Sequence, residues 1–278
     1  MNKTMKKILL NPWTALLTLA IVLLIRVLNP TFVESVRLRY FDTLITSQPD
    51  KSVPVNVVNI DEASLDKYGQ FPFPRDYYAK IINDIYSRNA GLVVFNILMP
   101  EQDRFKQDPV LAKLLEKHPV VLPALASTKS KNKDVGSAVQ IVGKNPEGYL
   151  VEYPGLITSV NEISDRAAGV GIVNTFPEVD GVVRRMPLLI MTPDTNVVPL
   201  DQQQKIVHPA LALEALRVGS GDTKIQVKIT DMGVEALRIP KLAKIQTDNL
   251  SRMWIDYSVK PKQYSLVDMP KDFEVVSL

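Results

Sequence analysis

The stretch VVNIDEASLDKYGQFPFPR (57–75) brings Asp61, Glu62 and Ser64 to the end of an apolar run and closes on Arg75 after Phe71-Pro72-Phe73-Pro74. A carboxylate facing a guanidinium at a strand tip can hold a polar ligand, act as a base or fix a loop. Asp61 and Glu62 are neighbours, so on a strand they point to opposite faces and cannot form an acid–base pair. Asp61 stands at the carboxyl end of an expected parallel strand, where α/β sheets place ligands. Arg75 is expected to reach back to it in a charge-assisted pair. Three readings stay open: a loop tied to its helix, a ligand pocket, and, least favoured, catalysis. The FPFP segment reads as a rigid turn whose rings cover the core, with a recognition surface as the alternative.

Other polar residues invite the same question. Asn96 sits inside the hydrophobic VVFNILMP, and a buried amide must be hydrogen-bonded, either to the Asp61 loop or to a ligand. Asp180-Gly181 followed by Arg184-Arg185 combines a turn with two guanidiniums that face opposite sides of a strand; solvated charge is the default reading and an anion site the alternative. His118 and His208 each precede a proline and have no metal-ligand neighbour at helical spacing, so both read as structural or surface residues. No glycine-rich phosphate loop, nucleophile elbow, HExxH or SxxK pattern occurs. No catalytic residue, metal site or cofactor is assigned.

The elements that position these residues follow from periodicity. Strands are expected at Val53–Ile60, Leu92–Leu98 and Val120–Ala126, with helices at Asp76–Asn89 and from Asp108-Pro109 to Lys117. That order predicts right-handed crossovers and a parallel sheet. Residues 127–150 read as an excursion from this core. Gly169–Asn174 and Val182–Met191 are expected to form a hairpin around Asp180-Gly181, and Lys224–Ile229 and Val234–Ile239 a second around Asp231-Met232-Gly233. A helix is expected over His208–Val218 and a last short strand over Met253–Tyr257. The fold class is α/β: a mostly parallel sheet with helical crossovers plus antiparallel hairpins, preceded by one transmembrane helix.

That helix is read at 8–28, ILLNPWTALLTLAIVLLIRVL, long enough for a bilayer core, which takes roughly 20 residues. No small-x-small cleavage site follows it, which favours an anchor over a signal peptide. Lys3, Lys6 and Lys7 precede the span and place residues 1–7 in the cytoplasm. Residues 30–278 are then exported from the inner membrane, starting with a juxtamembrane helix at 33–47 that carries Val36, Tyr40, Leu44 and Phe41 on one face and Asp42 at its edge. Four of the 33 basic residues lie within 1–30, leaving 29 against 30 acidic ones, so nucleic acid is not an expected partner. The absence of cysteine removes disulfides, thiolate metal sites and cysteine nucleophiles.

The order of motifs resembles the type-two CHASE domain: Arg37-x-x-x-x-Asp42, then IDEASLDKYGQFPFPR, then AGLVVFNIL, an acidic loop through Asp103, and Gly171-Ile172-Val173-Asn174 leading into DGVVRRMP. The resemblance spans roughly residues 30–270 and departs at Asn96, where the family more often has aspartate. It implies an extracytoplasmic sensory domain of bacterial adenylate cyclases, histidine kinases and related receptors. It also implies a ligand-facing end that includes Asp61, Glu62, Ser64, Arg75, Asn96, Asn174, Asp180 and Arg184. A further glycine-bearing strand, more spans and an output domain are expected beyond Leu278. The partners expected are the membrane, an unknown small-molecule or protein signal, and a second copy through the juxtamembrane helix. An anchored envelope protein acting by protein–protein contact, or an exported hydrolase using Asp61, are the alternatives.

Overall fold

The computed structural model describes residues 11–46, 51–129, 135–194 and 205–273. The readings for residues 1–10, Ser47 and 274–278 fall outside them. Helix α1 (Pro12–Leu28) starts where the Asn11 side chain accepts the Trp13 amide at 3.0 Å, with proline in its first turn. It ends at Asn29 in the left-handed region, φ 40°, where the chain turns before α2 (Thr31–Thr46). None of the residues of α1 is buried, although it is almost wholly apolar. No single described helix is long and apolar enough to cross a membrane; α1 and α2 together pass that test as a pair bent by 85°. The juxtamembrane helix is thus not collinear with α1. Its Val36, Tyr40 and Leu44 are exposed, whereas Leu38 is buried and Phe41 and Asp42 turn to the other side.

Ten strand pairings are described, and five of them are parallel. The expected predominance of parallel pairing gives way to a mixed α/β fold with several small sheets. β1 (Lys51–Asn59) pairs in parallel with β15 (Val259–Ser265) and not with the strand that follows it. That partner hides in the sequence because Lys260, Pro261, Lys262 and Gln263 make it polar. β2 (Val93–Val94) and β7 (Gly169–Ile172) flank β3 (Val120–Ser127) in parallel, and β6 (Gly155–Ile157) runs against the far end of β3. The helices α4 (Arg75–Ser87) and α5 (Asp108–Leu115) bury Tyr78, Ile82, Leu111 and Leu115 with Val93, Phe95, Val120 and Leu122 in one core.

A second core lies between helix α7 (Leu211–Gly219) and the antiparallel strands. β11 (Ile225–Thr230) and β12 (Gly233–Ile239) form the expected second hairpin, with Gly233 at φ 103°. β4 (Val139–Gly143) pairs alongside β11, and β13 (Ala243–Ile245) alongside β12. The expected first hairpin does not form. β7 pairs β3, whereas the downstream segment divides into β8 (Arg185–Pro187), which pairs β14 (Arg252–Trp254), and β9 (Leu189–Pro193), which pairs β5 (Val151–Glu152) and β10 (Lys205–Pro209). His208 belongs to β10 rather than to the helix expected there. Pro209 separates it from α7, and its Nε2 lies 2.9 Å from Thr192 Oγ1.

Candidate functional site

Asp61 does not form the pair with Arg75 that its sequence neighbourhood suggests. It is the N-cap of α3 (Glu62–Tyr68), and its Oδ1 accepts the Ser64 amide at 3.0 Å and the Ser64 hydroxyl at 2.6 Å. The Ser64 hydroxyl oxygen in turn accepts the Asp61 amide at 3.3 Å, which completes a capping box. Ser265, at the end of β15, donates to the same Oδ1 at 3.0 Å. These hydroxyl donors favour the charged form, and they hold the Asp61 carboxyl below its ordinary range. Glu62 is exposed in the first turn, where a negative charge suits the helix dipole.

Arg75 opens α4 and turns away from Asp61. Its Nε donates to Asp108 Oδ1 at 3.2 Å and its Nη2 to the Glu101 carbonyl at 3.0 Å. Asp108 Oδ2 accepts the Asp103 amide at 2.8 Å, so a buried ion pair locks the acidic loop to α5. Phe73, 1% exposed, forms the middle of an aromatic cluster with Tyr68, Phe71, Tyr77 and Tyr78, so one of the two rings expected to cover the core does so, whereas Phe71 is 44% exposed. Asn96 is exposed beyond the two-residue β2, which corrects its expected burial within a longer strand. Asn174 imitates a strand residue. Its Oδ1 accepts the Ala126 amide at 2.7 Å and its Nδ2 donates to the Ala126 carbonyl at 2.9 Å.

The remaining pair forms a larger constellation. Gly181, at φ 83°, closes a tight turn in which the Glu178 amide donates to the Val182 carbonyl at 2.9 Å. Three residues after Gly181, Arg184 enters the interior, 3% exposed. Its guanidinium donates to both oxygens of Asp42 on α2, each at 2.7 Å, and to both oxygens of Asp180, at 2.8 and 2.7 Å. Such forked, charge-assisted contacts fix orientation as well as energy. The guanidinium lowers the Asp42 carboxyl and holds Asp180 at about 2, while the two carboxylates raise Arg184.

Arg185 faces the other way, as alternation on a strand requires. It donates to Glu178 at 2.7 and 2.9 Å and lies 5.2 Å from the ring of Trp254. Trp254 in turn sits 4.5 Å from Phe41 of α2. Sequence reading missed Asp42 as the partner of Arg184, and Glu178 and Trp254 altogether. The one signal was Asp42 itself, read at the edge of the Val36, Tyr40 and Leu44 face, whereas the structure turns it to the docked side.

The chemistry available here is binding and clamping. Asp61, Asp108, Asp42 and Asp180 are each held by a hydroxyl or guanidinium partner. No group of three metal-ligating side chains occurs among the described residues. Two clefts open nearby: one of 520 Å³ between Asp108, Thr158, Ser159 and Glu162, and one of 370 Å³ between Tyr149, Phe176, Glu178, Arg185 and Arg252. Of the residues expected at one ligand-facing end, Asp61 and Ser64 form a helix cap, Arg75 a buried ion pair, Asn174 a strand zip and Asp180 with Arg184 a clamp, while Glu62 and Asn96 are exposed. A family model described as the CHASE2 domain matches residues 17–276. No curated protein matches the chain, and no solved structure does.

Proposed function

The chain belongs to the CHASE2 domain family, a family of sensory domains, and on that premise we propose that it is the extracytoplasmic input region of a membrane-anchored receptor. In this reading α1 is the anchor, with Lys3, Lys6 and Lys7 on its cytoplasmic side, and an envelope signal is passed to an output region of cyclase or kinase type. The observation that carries the reading is the Arg184 clamp on Asp42. It joins the folded domain to the helix that follows the apolar α1 through two hydrogen bonds of one buried guanidinium, whose other two hold Asp180.

A signal acts on such a device by differential affinity. A ligand that binds better when α2 is docked, or when it is displaced, shifts the population by that difference alone. Helix displacement at a packed interface is an established way to carry such a bias.

The test uses the cysteine-free background. Met232, 80% exposed, is changed to cysteine in one full-length variant and Thr4 in another. A membrane-impermeant maleimide is expected to label Met232→Cys in intact cells and Thr4→Cys only after permeabilisation. The reverse pattern would sink the reading. Ligand stabilisation without turnover separates a sensor from a hydrolase, since a ligand at 100 times its Kd adds about 2.7 kcal/mol.

A further inference from the structure

Among the described residues, helix α2 meets the domain along one side. Leu38 is 2% exposed, and Glu34, Ser35, Phe41, Asp42 and Ile45 around it are half-buried. With about 3.6 residues per turn, these positions cluster on one face. Val33, Val36, Tyr40 and Leu44 fall on the opposite face, and they are 40%, 52%, 66% and 52% exposed. Phe32, 78% exposed, extends that stripe toward α1. Arg37 and Arg39 lie on its two borders, about 100° to either side of Leu38, and both are exposed; the Arg37 Nε and Nη2 donate to Glu34, which leaves Nη1 for an outside acceptor. The docked side is mixed, with Leu38, Phe41 and Ile45 beside Glu34, Ser35 and Asp42, so the feature that suits a membrane interface is the exposed apolar stripe with a cation on each margin.

Two further observations identify the occupant. The stripe is continuous in the chain with α1, whose apolar residues are all unburied. The 85° bend at Asn29 and Pro30 places α2 across the axis of α1. With α1 along the bilayer normal, α2 lies in the membrane plane, and the domain held on its docked face stands on the side away from the stripe. We infer that α2 rests on the outer surface of the lipid bilayer, with Val33, Val36, Tyr40 and Leu44 in the headgroup–acyl boundary and Arg37 and Arg39 reaching lipid phosphates. The arginine stems cover apolar surface while the guanidiniums stay among the headgroups. The Arg184 clamp then grips a membrane-resting helix from above.

This inference rests on the reading of α1 as a membrane anchor, so the experiment reports on both. The full chain is placed in nanodiscs of phosphatidylethanolamine and phosphatidylglycerol. Single nitroxides are carried at Val36→Cys, Tyr40→Cys, Leu19→Cys and Met232→Cys. Collision rates with oxygen and with a water-soluble nickel chelate are then compared. Leu19→Cys is expected to favour oxygen and Met232→Cys nickel, with both α2 positions severalfold nearer to Leu19. If the α2 positions match Met232 while Leu19 still favours oxygen, the interfacial helix is overturned and the anchor stands. If Leu19 also favours nickel, both fail. Shielding of Val36 and Tyr40 from both reagents, with spin–spin broadening between copies, would overturn the inference in favour of a second chain as the occupant.

Discussion

The Asp61 cap and the Arg184 clamp each bring carboxylate oxygens to strong donors, yet they span very different lengths of chain. Asp61 finds its main partner three residues away, within one helical turn, and Ser265 is a later addition. Arg184 finds Asp42 at a separation of 142 residues, on a different element, and fills its remaining donors from Asp180. The cap therefore stabilises one helix end whatever α2 does. The clamp exists only while α2 is docked. A contact that ends when an element moves can report that movement, and a contact inside a single turn cannot.

The comparison breaks most sharply at Arg184. Arg184→Met leaves Asp42 and Asp180 facing one another without their cation; the Arg184 side chain is 3% exposed, whereas solvent reaches the 39% exposed Asp42 side chain and screens part of the loss. The expected result is a large fall in Tm together with lost contact between Phe41 and Trp254, read from Trp254 emission in a Trp13→Phe background. An unchanged Tm would show that α2 is held without the clamp. Arg184→Lys keeps the charge but not the fork, and its Tm is expected between that of the wild type and that of Arg184→Met.

Ser64→Ala removes half of the capping box at a fully buried position, for a loss of about 1 kcal/mol with Trp254 emission unchanged. Asp61→Asn keeps the cap geometry and is expected to remain close to wild type, with Asp61→Ala clearly less stable. If Asp61→Asn lost as much as Asp61→Ala, the carboxylate charge would matter beyond capping.

Acid sharpens the contrast last. Asp180 is held at about 2, below its ordinary 3.8, and Asp42 is lowered by the same guanidinium. The folded form therefore binds protons less readily, and the clamp's contribution is complete above pH 4 or so and is lost as pH falls toward about 2. His208 is pushed down by burial to about 4 from 6.5, so its contribution is lost in an earlier window, as pH falls from 6.5 toward 4. Stability measured by denaturant titration is expected to decline first in the His208 window, with Trp254 emission unchanged. The emission change is expected only in the Asp180 window. An emission change already complete by pH 5 would place the switch elsewhere.

What the sequence by itself determined is what is local or compositional. Asp231-Met232-Gly233 between alternating strands implies a hairpin; Asp61 and Ser64 at capping-box spacing are a local signal of the same kind, which a strand reading of Asp61 and Glu62 passes over. The apolar run implies the helix α1, and the strung motifs identify the family. Tertiary structure decided the partners. Arg75 is expected from the sequence to reach Asp61, and the packing of α4 against α5 gave it Asp108 instead. β1 was given β15 because pairing depends on which edges folding brings together. The 182–191 segment was divided between two sheets for the same reason. Asp42 on α2 could be seen as an acid on a helix but not as one arm of a clamp. Hydrogen bonds within a turn are specified by backbone geometry that neighbours share, whereas a bond across 142 residues is specified by the packing that closes the loop between them.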